Sequence, residues 1–223
     1  MSEPIQRVDL GEVGYEQAMR DMREWVAERK DGRAGDRLFL LSHPPVVTYG
    51  PRTSLADLPP ETAGLPTVAV DRGGYATYHG PGQLVGYLVI NLRERGPVDI
   101  VRWVEHGLIE ALAALGFDTV RRDTPPGASS LVGVWTRDHR KLVSIGMRIS
   151  GGVTSHGFAL NIDPDMTAFR QFVACGLHEV TMTSLRDLAD EHGIPVPSDG
   201  QVRDAVAASL GASRAPAAVP APG

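Results

Sequence analysis

Arg72-Gly73-Gly74-Tyr75-Ala76-Thr77-Tyr78-His79-Gly80-Pro81-Gly82-Gln83-Leu84 is the stretch on which the reading of this chain turns. Glycine, aromatic, hydroxyl and imidazole groups alternate in an order that core packing alone would not select. Glycines let the backbone reach positive φ and let a ligand approach the peptide groups closely, at an entropic cost that a purely structural segment avoids. The stretch therefore reads as a binding loop, and a site is sought around it.

On its N-terminal side, Tyr15, Met19, Met22, Trp25 and Val26 recur at helical spacing until Asp31-Gly32, which predicts an amphipathic helix over 15–30. Apolar runs at 38–41, 46–49, 67–70 and 84–92, punctuated by proline and glycine, predict strands. A second helix is expected from Asp99, read as its cap, through Ile100, Trp103, Val104, Leu108 and Leu112 to a stop at Gly116. Strands are expected again at 117–121, 131–135, 141–149 and 153–161, with Arg137-Asp138-His139-Arg140 closing a hairpin. Helices near 165–173, 184–192 and 199–210 complete the pattern, Ser184 and Asp187 forming a capping box. Residues 214–223, small and proline-rich, read as a disordered tail after one domain over 1–213. The mixture predicts a single α+β domain in which a mixed sheet is flanked by helices.

The 223 residues are 42% hydrophobic and 22% charged, which suits one substantial core. No apolar run approaches the ~20 residues needed to cross a bilayer, and the N-terminus lacks a basic-then-apolar pattern, so a cytoplasmic protein without membrane partners is expected. A formal charge of −5 with scattered basic residues gives no reason to expect nucleic acid. The single cysteine excludes an internal disulfide and multi-cysteine zinc patterns. His43, His106, His139, His178 and His192 show no metal-ligand spacing, so no metal is expected. Of the 22 basic residues only Lys30 and Lys141 are lysine. Lys30 ends a surface helix, whereas Lys141 opens an apolar strand whose alternation places it beside Val143, Ile145, Met147 and Ile149.

A thiolate is the reactive form of cysteine, and a thiol of ordinary pKa ~8.5 needs a cation, base or helix N-terminus to ionise at neutral pH. A desolvated Lys141 beside Cys175 would supply that cation and exchange one proton easily with it. Taken alone, Cys175 reads equally as a small inert hydrophobe and Lys141 as a strand-end lysine reaching water. His79 alone reads as a loop cap, Arg72 as a surface ion pair, and Tyr75 and Tyr78 as core or rim aromatics.

Four ordered motifs decide between these readings. The quoted run, Lys141-Leu142-Val143-Ser144-Ile145-Gly146, Ser155-His156-Gly157-Phe158-Ala159-Leu160-Asn161 and Cys175-Gly176 resemble the signature of the octanoyl-[acyl-carrier-protein]:protein N-octanoyltransferases of lipoate biosynthesis, lipoyl(octanoyl) transferases of the biotin/lipoate protein ligase fold superfamily. The resemblance implies that Cys175 takes an octanoyl group from acyl carrier protein as a thioester, assisted by Lys141. It further implies passage of that group to the target lysine of lipoyl domains, in 2-oxoacid dehydrogenase complexes and the glycine cleavage H protein. Thioester to amide is downhill, so no cofactor or ATP is expected; a monomer is expected. Substrate binding is assigned by the same resemblance to Arg72, Gly73, Gly74, Tyr75, Ala76, Thr77, Tyr78 and His79, to Ser144, Ile145 and Gly146, and to Ser155, His156 and Gly157. Backbone N–H groups or the His79 and His156 side chains are the oxyanion candidates.

Family members commonly carry proline where this chain has Ala174 and Leu88, changes that remove no reacting group. Three rival readings differ in chemistry. An ATP-dependent lipoate or biotin protein ligase would want a longer glycine run than Gly73-Gly74 and no Cys/Lys pair. A non-catalytic binding domain would form no covalent adduct, and a Cys175–His156 hydrolase would release its product to water.

Overall fold

The computed structural model describes residues 4–92, 96–177 and 180–214. Its main sheet has seven strands, here numbered along the chain: β1 (Ile5–Glu12), β2 (Arg37–Ser42), β6 (Gln83–Val89), β7 (Gly133–Trp135), β8 (Lys141–Ser150), β9 (Val153–Asn161) and β10 (Ala212–Arg214). Their spatial order is β10-β1-β2-β6-β9-β8-β7. β1 lies parallel to both β10 and β2, and the pairs from β2 through to β7 are antiparallel. A smaller sheet of β3 (Val46–Tyr49), β4 (Thr67–Ala69) and β5 (Thr77–His79) has the order β4-β3-β5. The sheet is mixed and flanked by helices, as expected.

Side-chain alternation splits the core in two. Leu38 and Leu40 of β2, Leu84 and Leu88 of β6, and Phe158 and Leu160 of β9 face helices α2 (Pro97–Ala114), α3 (Leu185–His192) and α4 (Asp199–Ser209). Phe39, Leu41, Val85, Tyr87, Val89 and Ala159 face the opposite way, onto helix α1 (Tyr15–Lys30). Because β6 is covered on both faces it is buried at every position, which explains its unbroken apolar run.

Several expectations need correction. β1 and β10 went unread: Arg7 in β1 is buried against Asp9 and Asp204, so charged side chains occupy positions where an apolar alternation would be sought. β10 carries the ordered chain to Arg214, one residue into the expected tail; 215–223, like His178, lie outside the described residues. Residues 117–121 form no strand, only an isolated bridge between Val120 and Trp135. The strand expected at 131–135 is confined to Gly133–Trp135, and the Leu131 carbonyl accepts instead from the Trp135 indole. The helix expected near 165–173 is a single 3-10 turn, Met166–Arg170, capped by Asp165. Asp99 is not the cap of α2 but sits at its third residue, where its carboxylate accepts from Gly96 N. Within the glycine-rich stretch, Thr77–His79 is strand rather than loop and pairs with β3.

The most consequential correction concerns Lys141. Val134 opposes Val143 but Trp135 opposes Lys141, so Leu142 is an extra residue in β8. Leu142 and Val143 both enter the α2-side core, and Lys141, opposite Trp135, is turned off the face it was expected to share with Val143. Truncating the bulged side chain, Leu142→Ala, is expected to cost about 2–5 kcal/mol, because it empties a fully buried site. Urea unfolding reads this as a lower midpoint at unchanged slope; a loss below ~1 kcal/mol would mean that Leu142 does not anchor the bulge.

Candidate active site

Arg72 organises the glycine-rich loop from inside it. The side chain is buried; Nη1 donates to Gly73 O (3.0 Å) and Tyr75 O (3.1 Å), while Nη2 donates to Thr48 O (3.1 Å) and Thr48 Oγ1 (2.8 Å). Burial pushes the guanidinium pKa down from its ordinary value, opposed by nearby groups that include Cys175. The surface ion pair is therefore not its role. Opposite the loop a Cβ on Gly146 would come 2.7 Å from Gly73 O, so only glycine lets β8 approach this closely.

From Thr48 a buried polar chain runs across the molecule. Gln83 Nε2 donates to Tyr78 O (3.1 Å) and Asn161 Oδ1 (2.9 Å), which leaves Oε1 to accept from His79 Nδ1 at 2.9 Å. His79 Nε2 is then the acceptor for Thr48 Oγ1 at 3.3 Å. Asn161 Nδ2 continues to Thr183 O (3.0 Å), and Thr183 N returns to Lys141 O (3.0 Å). The strand bearing Lys141 and the segment following Cys175 are thus tied to the same network as the loop.

Cys175 sits in a short 3-10 turn, Ala174–Gly176, at φ 60° and ψ 15°. A non-glycine residue there stores backbone strain, typically about 1–3 kcal/mol, of the kind that clusters at functional sites. Its amide donates to Ala76 O at 2.7 Å and Ser144 Oγ lies 3.5 Å from Sγ. Lys141 is buried, and its Nζ lies 5.1 Å from the centre of the Trp135 ring. Cys175, Lys141 and Arg72 all line one narrow cavity of about 60 Å³. By the measure in which one water needs about 10–15 Å³, this admits some four to six water-sized groups, and a methylene is close to that size. The lining contains no carboxylate.

The histidines of this region are neutral. His43 donates through Nδ1 to Val13 O (2.6 Å) and accepts at Nε2 from the Tyr87 hydroxyl (2.7 Å); burial lowers its pKa. Burial drives His79 well below its ordinary value, with His43 and Arg72 adding to the effect. His156, at φ 58°, is lowered to about 3 by burial and by the Arg72 and Arg148 cations. Its contact with Asp71 Oδ1 at 3.4 Å would by itself favour a charged ring, but Asp71 is already paired with Arg148. Burial raises the Tyr15 phenol to about 12 and holds Tyr87 well above its ordinary value.

Of the predicted substrate-binding residues, Arg72, Gly74, Tyr75, Thr77, His79, Ser144, Ile145, Gly146, His156 and Gly157 line the cavity with Cys175 and Lys141. Gly73 instead bonds its amide to Met147 O, Ala76 supplies the carbonyl that holds Cys175, and Tyr78 packs on Phe169. Ser155 faces the neighbouring groove beneath α1. Both ring nitrogens of His79 and the Cys175 amide are engaged, so neither is free for an oxyanion. The sequence reading missed Tyr15, Val85, Tyr87, Ser130, Val132, Phe158 and Ala159 in the lining. Alternation in β6 and β9 marks Val85, Tyr87 and Ala159 as one face; nothing local marks Ser130 or Val132. Among the described residues no cluster of histidine, cysteine or carboxylate groups could hold a metal ion, and no helix is long and apolar enough to cross a membrane.

The helix-flanked mixed sheet with its cavity under a glycine-rich loop is that of a lipoyl protein ligase catalytic domain. Residues 15–211 match the family model of the lipoyl protein ligase A/B catalytic domain, and the chain belongs to that family. Curated relatives carry the name octanoyltransferase. One from Frankia casuarinae is 47% identical over 200 residues, covering 89% of this chain and 90% of its own. Another from Leifsonia xyli is 39% identical over 214 residues, covering 95% and 93%. Among solved structures, the putative lipoate protein ligase Ta0514 from T. acidophilum superposes with a TM-score of 0.72 at 14% identity, covering 96% of this chain and 88% of that one. Lipoate-protein ligase A bound with ATP gives 0.67 at 15%, covering 96% and 88%. At such identities the structures establish fold alone.

Neutral buried histidines set the acid response. The folded pKa of His156 lies below the ordinary 6.5, so the unfolded chain binds more protons in the window between about 6.5 and 3. Stability is complete above that window and falls with decreasing pH within it, by at most about 1.4 kcal/mol per pH unit per histidine. His156→Asn is expected to flatten this slope in urea unfolding from pH 7 to 4; identical slopes in both proteins would refute the assignment.

Proposed function

We propose that this protein moves an octanoyl group from acyl carrier protein, through a thioester on Cys175, to the target lysine of a lipoyl domain. Relatives named octanoyltransferase at up to 47% identity over most of both chains support octanoyl transfer. The observation that carries the mechanism is the company Cys175 keeps: it shares a cavity lining with Lys141 and Arg72 and with no carboxylate, the kind of surrounding in which cysteine nucleophiles work.

The steps follow from that arrangement. Lys141 accepts the Cys175 proton, and Sγ attacks the donor's thioester carbonyl. The bond from the acyl carbon to the pantetheine sulfur breaks, and Lys141 returns the proton to the departing thiolate. The acyl chain occupies the apolar part of the cavity along Val85, Phe158 and Ala159, while Ser144 Oγ stands beside the sulfur where the oxyanion forms. The target lysine's amine then attacks the acyl carbon, its proton passing to Lys141. The carbon–Sγ bond breaks to leave the amide, and the proton returns to the thiolate. Nothing in this sequence requires ATP. The acceptors are lipoyl domains, including those of 2-oxoacid dehydrogenase complexes and the glycine cleavage H protein.

Intact mass after incubation with octanoyl-acyl carrier protein tests the reading. One octanoyl group, labile to hydroxylamine and discharged by a lipoyl domain, is expected on the wild-type protein. It should be absent from Cys175→Ser and slowed at least about a hundredfold in Lys141→Ala. Transfer that needs ATP and free octanoate, without an adduct, would replace this mechanism by the ligase one.

A further inference from the structure

A chain of net charge −5 must receive a donor whose thioester arm hangs from a negatively charged phosphodiester. Arginine recurs at 121, 122, 137, 140 and 148. In the fold Arg121 is paired with Glu105 and Asp123, Arg137 with Asp118, Arg140 with Asp138 and Glu191, and Arg148 with Asp71. Each of those charges is answered within the chain, which leaves little field for a partner.

Two arginines are held differently. Arg52 is exposed and stacks its guanidinium 5.0 Å from the centre of the Tyr75 ring. Tyr75 lines the cavity and lies against Gly176, where a Cβ would come 2.8 Å from the ring, so Arg52 stands beside the Cys175 turn. Arg122 lies 5.0 Å from the centre of the Trp135 ring, the same ring that holds Lys141 Nζ. Neither arginine has a carboxylate partner among the described residues. Stacking on an aromatic face fixes a guanidinium without cancelling its charge and leaves its N–H donors free. The two therefore carry positive charge one aromatic ring away from the reacting groups, Arg52 across Tyr75 from the Cys175 turn and Arg122 on the Trp135 ring that Lys141 also contacts.

We propose that Arg52 and Arg122 form the docking bracket for the acyl donor, binding the phosphate of its phosphopantetheine arm and the acidic surface from which that arm extends. This rests on the octanoyl-transfer reading and names the surface which that reading lacks. Charge complementarity makes the contact sensitive to salt and gives it a role in binding rather than in the chemical step.

The test measures formation of the octanoyl-Cys175 adduct with two donors, octanoyl-acyl carrier protein and octanoyl-pantetheine, the latter lacking both phosphate and protein. In Arg52→Gln and Arg122→Gln the KM for the carrier-protein donor is expected to rise about tenfold each, with kcat little changed. The rise should shrink at high salt and be restored in part by lysine at either position. KM for octanoyl-pantetheine and for the lipoyl-domain acceptor should stay put. Unchanged KM for the carrier-protein donor in both variants would overturn the bracket. So would an equal rise for octanoyl-pantetheine, which would mean that the arginines only shape the cavity, or a rise confined to the lipoyl domain. Failure of the wild-type protein to form an adduct with either donor is a separate result, and sinks the transferase reading itself.

Discussion

Burying a guanidinium without a carboxylate is the constraint from which the site follows. Desolvating such a charge costs several kcal/mol unless its donors are met, and around Arg72 they are met by three backbone carbonyls and one hydroxyl. Two of those carbonyls belong to the glycine-rich loop and the third to β3, so satisfying the charge fixes the loop against the small sheet. Thr48 then passes the order on through His79, Gln83 and Asn161 to Thr183, whose amide holds Lys141 O. Each member is an acceptor or donor for the next, and a half-satisfied version would cost more than an apolar core. Loop, lysine strand and cysteine turn are consequently positioned as one unit.

That unit also sets the electrostatics. The guanidinium of Arg72 faces a lining free of carboxylates, while the histidines and tyrosines around it stay neutral because burial penalises their charged forms. A protein that is acidic overall therefore places Cys175 in a cavity lined by two basic side chains and no carboxylate. The strained backbone at Cys175 and His156 fits the same picture, since both positive-φ residues border the cavity.

The helices were largely legible. α1 begins and ends where its spacing and Asp31-Gly32 place it, and Ser184 with Asp187 forms the capping box of α3. β3 and β9 likewise match their apolar runs. Strand β1 was not legible, because its buried positions include an arginine whose partner Asp204 lies 197 residues away. The site was legible as segments: every segment named by its motif contributes to the cavity or to the frame around it. The division of labour within those segments was not, since Gly73 and Ala76 serve through backbone groups that any residue carries.

By itself the sequence determined the long helices, most of the central strands and the four motifs that mark the site, because periodicity and residue chemistry are local properties. Only the tertiary structure decided which way Lys141 faces. Alternation assigns it to the α2-side core, but the register with β7 inserts Leu142 as a bulge and turns the lysine to the cavity. A bulge is a property of two paired strands, and it leaves no trace in the sequence of either one. The same holds for charge: the fold brings Glu105 to Arg121, Glu191 to Arg140 and Asp71 to Arg148, pairings that no local stretch of sequence announces.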